Sequence, residues 1–441
     1  MEMEHWALVM FAALMALLML GYPVAFTLGA VALGFGAVFL GWGFFDLLPM
    51  RIWGIMTNFT LLAVPLFVFM GLVLEKTGMA ARLIESAGML FGRRRGGLAL
   101  SIVLIGTLLA ASTGVVGATV VAMGVIAMPI LLRHRYDPAF AAGVVASSGT
   151  LGQIIPPSVI LILLGDVIGV AVGELFMAAL VPGILLVGLY LAYILVIAWL
   201  RPERAPAIDQ DVTGQGVSAF GLMRDMFLPL ALVIAVLGSI FFGIASPTES
   251  AAIGALGALL LGVASRSLTL RGLMDAMQHT VRLTSMVFLI LIGATAFGLV
   301  FRGMGGDMLV EQIMTGLPGG VWGFLALSML LVFVLGFFLD FLEICFIVVP
   351  ILAPIALLMG IDPLWFAVLI AVNLQTSFLT PPFGFSLFYL KASAPPELRI
   401  QQIYRGALPF VGLQFLALGI IMVFPQVALW LPELMNRLQG F

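Results

Sequence analysis

Long apolar runs, separated by short polar or charged segments, dominate the pattern along the chain. A helix needs roughly 20 apolar residues to cross a hydrocarbon core about 30 Å thick, and many runs here reach that length. The runs, each to within a few residues, are 6–21, 23–42, 59–75, 97–131, 139–170, 175–200, 225–246, 247–264, 284–300, 320–359, 363–391 and 406–430. The pattern therefore predicts an all-α polytopic membrane protein.

Four of these runs carry interruptions that an ordinary span lacks. Runs 97–131 and 320–359 are too long for one crossing and have polar or glycine-rich centres, so we predict two re-entrant helical hairpins. Runs 139–170 and 363–391 each contain Pro-Pro. Because proline has no amide donor, each of these two runs predicts a broken helix.

The two halves of the chain repeat at a constant offset of 225 residues. The segment YDPAFAAGVVASSGTLGQIIPP (136–157) aligns without a gap to IDPLWFAVLIAVNLQTSFLTPP (361–382). The matched residues are Gly78–Met79 with Gly303–Met304, Pro129 with Pro354, Asp137–Pro138 with Asp362–Pro363, Ala142 with Ala367, Ala146 with Ala371, and Pro156–Pro157 with Pro381–Pro382. Such a series predicts two structural repeats.

Basic residues flank the first predicted hairpin but not the second. Arg93–Arg95 and Arg133–Arg135 lie at the base of the first hairpin, and positive charge favours the cytoplasmic side. The two repeats are therefore predicted to have inverted topology, with both chain termini outside. Arg51 and Arg302 are exceptions on predicted external segments. Inverted repeats place a binding site near the midplane between them.

Composition narrows the classes of function. The chain is 63% hydrophobic and only 9% charged, whereas soluble proteins carry roughly 25% charged residues. One cysteine, Cys345, excludes a disulfide framework, and three scattered histidines argue against haem. The sequence contains no phosphate-binding P-loop, H-E-x-x-H or partnered G-x-S-x-G motif. We therefore expect no enzyme activity, no cofactor and no nucleic-acid partner.

Polar residues cluster at the four interruptions and suggest two kinds of ligand. The clusters are Ser112–Gly114, Ser147–Ser158, Gly336–Glu343 and Asn373–Pro382. Carbonyls freed by proline, together with hydroxyl and amide oxygens, are hard ligands that suit a small alkali cation. Helix N-termini at such breaks present amides that suit a carboxylate. The pattern therefore predicts a site for sodium and an anion.

Alternative explanations apply to several of these residues. Small polar residues also permit close helix packing in membranes. Asp340 and Glu343 could be protonated, cap a helix or face the external mouth. The Ser246–Glu249 segment (SPTE) could be a binding motif, but serine at the N-cap, proline at N1 and glutamate at N3 favour a helix start. The arginine runs are interpreted as determinants of topology.

The chain resembles the large membrane subunit of tripartite ATP-independent periplasmic (TRAP) transporters over essentially its whole length. The residues that carry the resemblance are ASTGVVGATVVAMGVIAMPILLRHRYDPAFAAGVVASSGTLGQIIPPS (111–158), SPTESAAIGALGALLLG (246–262), GIDPLWFAVLIAVNLQTSFLTPPFGFSLFYL (360–390) and the closing LPFVGLQ…FPQVALWLP. The resemblance implies sodium-coupled import of an organic acid. It also implies that the chain lies in a bacterial inner membrane. The two implied partners are a small four-helix membrane subunit and a soluble periplasmic binding protein.

The resemblance further implies an elevator, in which a domain built from the hairpins and broken helices moves against a scaffold. The implied organisation is scaffold in 1–96, hairpin 1 and its broken helix in 97–200, a cytoplasmic linker in 201–224, scaffold in 225–319, hairpin 2 with its broken helix and the last span in 320–430, and a periplasmic tail in 431–441.

Sodium sites carried over from the family lie between each hairpin tip and its neighbouring broken helix. The first would use Ser112, Thr113, Gly114, Ser147, Gly149, Gly152 and Pro156. The second would use Gly336, Asp340, Asn373, Thr376, Thr380 and Pro381. Candidate substrate-binding residues are Thr113, Ser148, Thr150, Glu343, Asn373 and Gln375.

The second hairpin tip departs from the commoner family pattern. Its sequence, GFFLDFLEIC, has Phe341 after Asp340 and carries Glu343 where small residues and proline are usual. This tip resembles the subgroup linked to 2-oxo acids, lactate and similar monocarboxylates. Alternatives to sodium-driven import are a proton-coupled or stand-alone carrier, a membrane enzyme that uses Asp340 and Glu343 as acid and base, and a structural scaffold.

Overall fold

A computed structural model describes residues 3–78, 94–114, 116–207 and 219–439, and every regular element in these ranges is helical. In the first half the helices are α1 (Met3–Met19), α2 (Val24–Phe39), α3 (Leu48–Met56), α4 (Ala63–Lys76), α5 (Gly97–Thr113), α6 (Val116–Arg133), α7 (Pro138–Thr150), α8 (Val159–Ile168) and α9 (Val172–Leu200). In the second half they are α10 (Ala219–Phe241), α11 (Pro247–Ala264), α12 (Leu270–Gly303), α13 (Gly306–Thr315), α14 (Val321–Leu335), α15 (Phe341–Leu358, with a π turn at Ile344–Val348), α16 (Pro363–Leu379), α17 (Phe385–Ser393), α18 (Ile400–Val423) and α19 (Gln426–Gln439).

Several of these helices are long and apolar enough to cross a membrane. Within the described ranges six single helices qualify, and a seventh span results if the bent pair Trp42–Met56 and Thr60–Lys76 crosses as one. The six are α6, α9, α11, α12, α15 and α18. The prediction of an all-α polytopic membrane protein is confirmed.

Helix boundaries recur at the offset of 225 residues seen in the sequence. Helix α6 spans 116–133 and α15 spans 341–358, so both ends are shifted by the same amount. The starts of α7 and α16, Pro138 and Pro363, show the same shift. Each of these starts is capped by an aspartate. Asp137 accepts from the Phe140 amide at 2.8 Å, and Asp362 accepts from the Trp365 amide at 3.0 Å.

Helix packing separates the molecule into two groups. Helices α4, α11 and α12 pack together, α2 lies along α12, and α10 lies along α11. In the other group, α7 packs against α5, α6 and α18, and α16 packs against α14 and α18. The hairpins α5–α6 and α14–α15 therefore lie with the broken helices α7–α8 and α16–α17. Helix α4 contacts α5, and α12 contacts the π turn of α15, so these contacts join the two groups.

Three regions differ from the predicted spans. Helix α12 begins at Leu270 rather than near 284, because the charged residues before position 284 are also helical. In this first half Asp275 pairs with Lys76 of α4 at 3.8 Å. The last predicted span ends early, at Val423, because Pro425 disfavours helix at the preceding residue. Helix α19 follows and occupies most of the predicted tail.

Two short helices, α3 and α13, had no counterpart among the predicted spans. Arg93, Met79, residues 208–218 of the linker, and residues 440–441 of the tail lie outside the described residues.

The predicted cap at Ser246 is confirmed. The Ser246 hydroxyl accepts from the Glu249 amide at 3.3 Å, and the Glu249 carboxylate accepts from the Ser246 amide at 2.8 Å. Thr248 adds a longer-range contact, because its hydroxyl donates to the Phe59 carbonyl at 2.9 Å. The SPTE segment thus starts α11 and also hydrogen-bonds to the loop that connects α3 and α4.

Candidate functional site

Both broken helices are interrupted at a cis Pro-Pro bond. Helix α7 ends at Thr150, a single 3₁₀ turn follows, and the chain passes through Pro156–Pro157 before α8 begins. Helix α16 ends at Leu379, and the chain passes through Pro381–Pro382 before α17 begins. In a continuous helix the carbonyl of residue i accepts from the amide of residue i+4. Because proline has no amide hydrogen, each break deprives carbonyls of their helical donor.

Serine hydroxyls partly replace the missing donors at two repeat-equivalent carbonyls. Pro157 lies four residues after Gln153, whose carbonyl accepts from the Ser158 hydroxyl at 2.8 Å. In the second repeat the carbonyl of Phe378 accepts from the Ser386 hydroxyl at 2.6 Å. A carbonyl oxygen has two lone pairs. Each of these carbonyls therefore keeps one acceptor direction with which it could bind a cation.

The tip of the first hairpin lies directly against the first break. Gly114 adopts a left-handed conformation with φ +61°, and a Cβ there would lie 3.2 Å from the Pro157 carbonyl oxygen. A Cβ on Gly152 would lie 3.1 Å from the carbonyl oxygen of Ala110. Only glycine at both positions permits this approach without displacing backbone. The structure thus brings Gly114, Gly152 and the Pro156–Pro157 segment together.

The remaining residues predicted for the first sodium site have different surroundings. Ser112 and Thr113 form the last turn of α5, and their side chains lie outside the described residues. Ser147 is fully buried, and its hydroxyl donates to the Val144 carbonyl at 3.2 Å. A Cβ on Gly149 would lie 3.0 Å from the Cα of Val120, so this glycine permits the close packing of α6 on α7.

The second hairpin tip meets its break through a glycine and aromatic rings. A Cβ on Gly336 would overlap the Ser377 side chain. The rings of Phe341 and Phe378 have centroids 6.4 Å apart. Because aromatic rings offer no oxygen ligand, a cation at this tip would depend on the Asp340 carboxylate and on the polar residues of α16.

Three predicted residues of the second sodium site lie in or just after α16. The Asn373 amide donates to the Met329 carbonyl at 2.6 Å, while its buried Oδ1 has no hydrogen-bond partner in the described part of the chain. Thr376 donates to the Val372 carbonyl at 2.9 Å, and Thr380 donates to the Thr376 carbonyl at 2.6 Å. Asn373 is thus the side chain in this group with a buried oxygen free for a ligand.

Asp340 and Glu343 form a capping box at the start of α15. The Asp340 carboxylate accepts from the Phe341 amide at 2.8 Å, and the Asp340 amide donates to the Glu343 carboxylate. Of the alternatives left open by the sequence, the structure shows the helix cap.

A cavity of about 400 Å³ lies between the two hairpins and the scaffold helices. Its walls are contributed by α4 and α12, by residues just after the first tip, by the second tip, and by α16 and α17. The lining residues are Val64, Val68, Leu72, Glu75, Lys76, Val116, Gly117, Ala118, Val121, Val159, His279, Leu283, Met286, Val287, Asp340, Phe341, Leu342, Phe378 and Tyr389. An apolar wall with a few polar groups is typical of small-molecule sites.

Two basic residues of this cavity were missed from the sequence. Lys76 and His279 belong to α4 and α12 and lie at predicted cytoplasmic helix ends, so hydropathy alone gave no reason to select them. Of the residues predicted for sodium or substrate, Asp340 lines this cavity.

The predicted substrate-binding residues fall into separate places. Ser148, Thr150, Asn373 and Gln375 are buried within the hairpin group, at 0–1% exposure, and do not line the cavity. Glu343 is likewise buried, at the N-terminus of α15. Gln375 donates to the Thr150 hydroxyl at 3.3 Å. These side chains therefore pack inside the hairpin group and do not face the cavity.

Two Pro-Pro breaks, each facing a hairpin tip, thus lie beside an apolar cavity in a polytopic helical protein. The sequence matches the family described as "Tripartite ATP-independent periplasmic transporter, DctM component" over residues 11–427. The chain belongs to this family of TRAP large permease subunits. It is a transporter subunit and not an enzyme, which overturns the alternative of acid–base catalysis by Asp340 and Glu343.

Individual relatives agree over nearly the whole chain. The sialic acid TRAP transporter large permease protein SiaM of Vibrio cholerae is 33% identical, with 95% of this chain and 97% of the relative covered. The C4-dicarboxylate TRAP transporter large permease protein DctM of Rhodobacter capsulatus is 30% identical, with 98% and 99% covered. The crystal structure of the YdaH transporter of Alcanivorax borkumensis has a TM-score of 0.62 at 16% identity, with 94% and 99% covered. This last likeness concerns the fold alone.

Membership in the family carries three coarser conclusions. The chain is a multi-pass membrane protein. Permeases of this family work with a periplasmic binding protein and a small membrane subunit, and they need no cofactor. Their substrates include organic acids.

Proposed function

We propose that this chain is the large subunit of a sodium-coupled importer of a small organic acid. A soluble periplasmic binding protein delivers the acid, and a small four-helix membrane subunit completes the assembly in a bacterial inner membrane. Both termini of the large subunit face the periplasm. The observation that carries the proposal is the pair of repeat-equivalent breaks, each with a carbonyl that has lost its helical donor and each facing a hairpin tip.

Sodium coupling follows from the ligands that these breaks offer. Site 1 lies where Gly114 meets the segment from Gly152 to Pro157. Site 2 lies where the second tip meets α16, with the unpartnered Oδ1 of Asn373 as a ligand. Neutral oxygen ligands suit a small hard cation. Each sodium ion moved inward across 100 mV releases about 2.3 kcal/mol. Two ions with one monocarboxylate anion carry one net positive charge, so the potential alone supports roughly a fiftyfold accumulation.

An elevator movement explains the arrangement of the cavity. The predicted moving domain, residues 97–200 and 320–430, contains both hairpins and both breaks. The predicted scaffold supplies the opposite wall through α4 and α12. Since the facing walls are mainly apolar side chains such as Val68, Leu283 and Met286, few polar bonds resist sliding of one group along the other.

The substrate is a carboxylate bound in the 400 Å³ cavity between the two groups. Lys76 and His279 supply donors for its carboxylate, while the apolar walls suit a short carbon chain. The relatives named for sialic acid and C4-dicarboxylates transport acids as well. The Asp340–Glu343 tip, which departs from the commoner family pattern, points to a 2-oxo acid or lactate in this chain.

Uptake into proteoliposomes tests the proposal. Vesicles would contain this chain, its small subunit and its binding protein, with labelled 2-oxo acids or lactate outside and a sodium gradient imposed or withheld. Uptake that needs both sodium and the binding protein supports it. Uptake driven equally well by a pH gradient without sodium would establish the proton-coupled alternative. Uptake without the binding protein would establish a stand-alone carrier.

A further inference from the structure

One hydrogen bond joins a residue to its own counterpart in the other repeat. The Gln375 amide Nε2 donates to the Thr150 hydroxyl at 3.3 Å, and the two residues are 225 positions apart, which is the repeat offset. Equivalent residues of two repeats can touch only where the repeats meet. Thr150 at the end of α7 and Gln375 in α16 therefore mark the junction between the two broken helices.

This bond continues into the first candidate sodium site. The Thr150 hydroxyl accepts from Gln375 and donates to the Ser147 carbonyl at 2.8 Å. Ser147 is among the residues predicted for site 1, whereas Gln375 lies between Asn373 and Thr376 of site 2 on the same helix. A donor chain of this kind polarises each bond along it. The relay thus connects the backbone of one site to the helix that carries the other.

The junction is polar where apolar side chains would pack at lower cost. Thr150, Gln375, Tyr190 and Gln414 are all fully buried. The Tyr190 hydroxyl lies beside the Thr150 and Gln414 side chains. Among the described residues, the Gln375 Oε1 has no hydrogen-bond partner. An unpartnered buried polar atom costs stability, so a purely structural junction gives no reason for it.

We propose that Thr150 and Gln375 couple the two sodium sites, so that an ion in one site favours an ion in the other. The inference rests on the proposed sodium coupling. Binding at site 1 fixes the last turn of α7, and the Thr150 hydroxyl then holds Gln375 and the α16 turn of Asn373. Coupling between sites is reciprocal, so site 2 acts on site 1 through the same bond. Both residues are positioning residues and do not bind sodium themselves.

Equilibrium sodium binding tests the relay. The intact complex in nanodiscs would be titrated with radioactive sodium, and the same preparation would be assayed for uptake against sodium concentration. Thr150→Val removes the hydroxyl at nearly constant volume, and Gln375→Leu removes the amide. Each is expected to lower the Hill coefficient from above 1 to about 1 and to raise the half-saturating sodium concentration about fivefold. The double variant should be no worse than either single variant.

Two further variants separate coupling from folding. Thr150→Ser keeps the hydroxyl and should restore the cooperative titration. Thr280→Val is the matched control, because Thr280 is buried in the scaffold helix α12 and its hydroxyl donates to the Ala276 carbonyl at 2.8 Å within that helix. This control should leave the Hill coefficient unchanged even if the melting temperature falls.

The outcomes distinguish the two levels of the proposal. Sodium binding with an unchanged Hill coefficient in Thr150→Val and Gln375→Leu would overturn the relay while leaving sodium coupling intact. A lower melting temperature alone would also overturn it, since that is what a structural role predicts. Absence of sodium binding in the unaltered complex would instead overturn the proposed function, and the relay with it.

Discussion

One side-chain hydrogen bond joins the scaffold to the hairpin group away from the substrate cavity. Asn58, between α3 and α4, donates from Nδ2 to the Asp166 carboxylate of α8 at 2.6 Å. The amide is held in this orientation because its Oδ1 accepts from the Thr60 amide at 2.9 Å. Thr248 fixes the same connection from α11. If α8 moves with the predicted transport domain, this bond must break during transport.

The bond should therefore favour the arrangement seen in this structure. Hydrogen bonds to charged groups contribute about 1.5–3 kcal/mol, and partial exposure of this pair lowers the expectation to about 1–2 kcal/mol. That free energy corresponds to roughly a 5- to 30-fold bias in a two-state equilibrium. Asn58→Asp keeps the oxygen that accepts from Thr60 and puts a second carboxylate against Asp166. Repulsion then replaces attraction, so we expect a shift of at least about tenfold away from this arrangement.

Distances between spin labels would measure that shift. Ile244, in the predicted scaffold between α10 and α11, and Trp199 of α9, in the predicted transport domain, are 77% and 81% exposed, so cysteines there would accept labels. The native Cys345 is buried and would not compete. Electron–electron resonance in nanodiscs should show one dominant distance in the parent protein. A second distance should gain population in Asn58→Asp.

Exchange of donor and acceptor provides the control. The double variant Asn58→Asp with Asp166→Asn restores a carboxylate–amide hydrogen bond with its direction reversed. We expect this variant to recover the parent distance distribution. If Asn58→Asp leaves the distribution unchanged, or if the exchanged pair behaves like the single variant, the bond does not hold the two groups together.

Four further predictions concern packing, the breaks and the cavity. Gly143→Ala should destabilise the complex by about 1–3 kcal/mol in thermal melts, because its Cβ would overlap the Gly406 carbonyl of α18. Gly412→Ala on α18 is the control, because a Cβ at that position meets open space. Ser158→Ala should cost about 1–3 kcal/mol by leaving the Gln153 carbonyl without its donor, again measured by melting. Asn373→Ala should raise the half-saturating sodium concentration at least tenfold in uptake assays; unchanged sodium dependence would contradict its place in site 2. Lys76→Met should raise the KM for the acid more than it lowers kcat, and an unchanged KM would remove Lys76 from the substrate site.

The sequence predicted the features that depend on local chemistry. The helix start at Ser246 was predicted from its capping residues and forms as expected, whereas the aspartate caps at Asp137 and Asp362 emerged from the structure. The Pro156–Pro157 and Pro381–Pro382 breaks follow equally directly from missing amide donors. In each case the determining residues lie within four positions of one another. Local sequence therefore sufficed for the Ser246 cap and for the two breaks.

Features that depend on distant contacts were not predicted. The charged first half of α12 is helical although hydropathy alone assigned only 284–300 to a span. Its Asp275 pairs with Lys76, nearly 200 residues earlier, and His279 reaches the cavity only because α12 packs on α4. The Phe378 carbonyl accepts from the Ser386 hydroxyl, whereas the equivalent Gln153 carbonyl accepts from the Ser158 hydroxyl. The two repeats therefore donate to equivalent carbonyls from serines at different positions.

A similar divergence is seen where each hairpin meets its broken helix. In the first repeat the glycine at the contact is Gly152 on the broken helix, and it meets Ala110 of the hairpin. In the second repeat the glycine is Gly336 on the hairpin, and it meets Ser377, the counterpart of Gly152. Gly336 itself corresponds to Ala111, one residue after Ala110, so the two contacts are neighbouring and not identical in register. Close approach constrains the summed size of the two partners and not the identity of either one, so a comparison that aligns positions one at a time does not pair these two contacts.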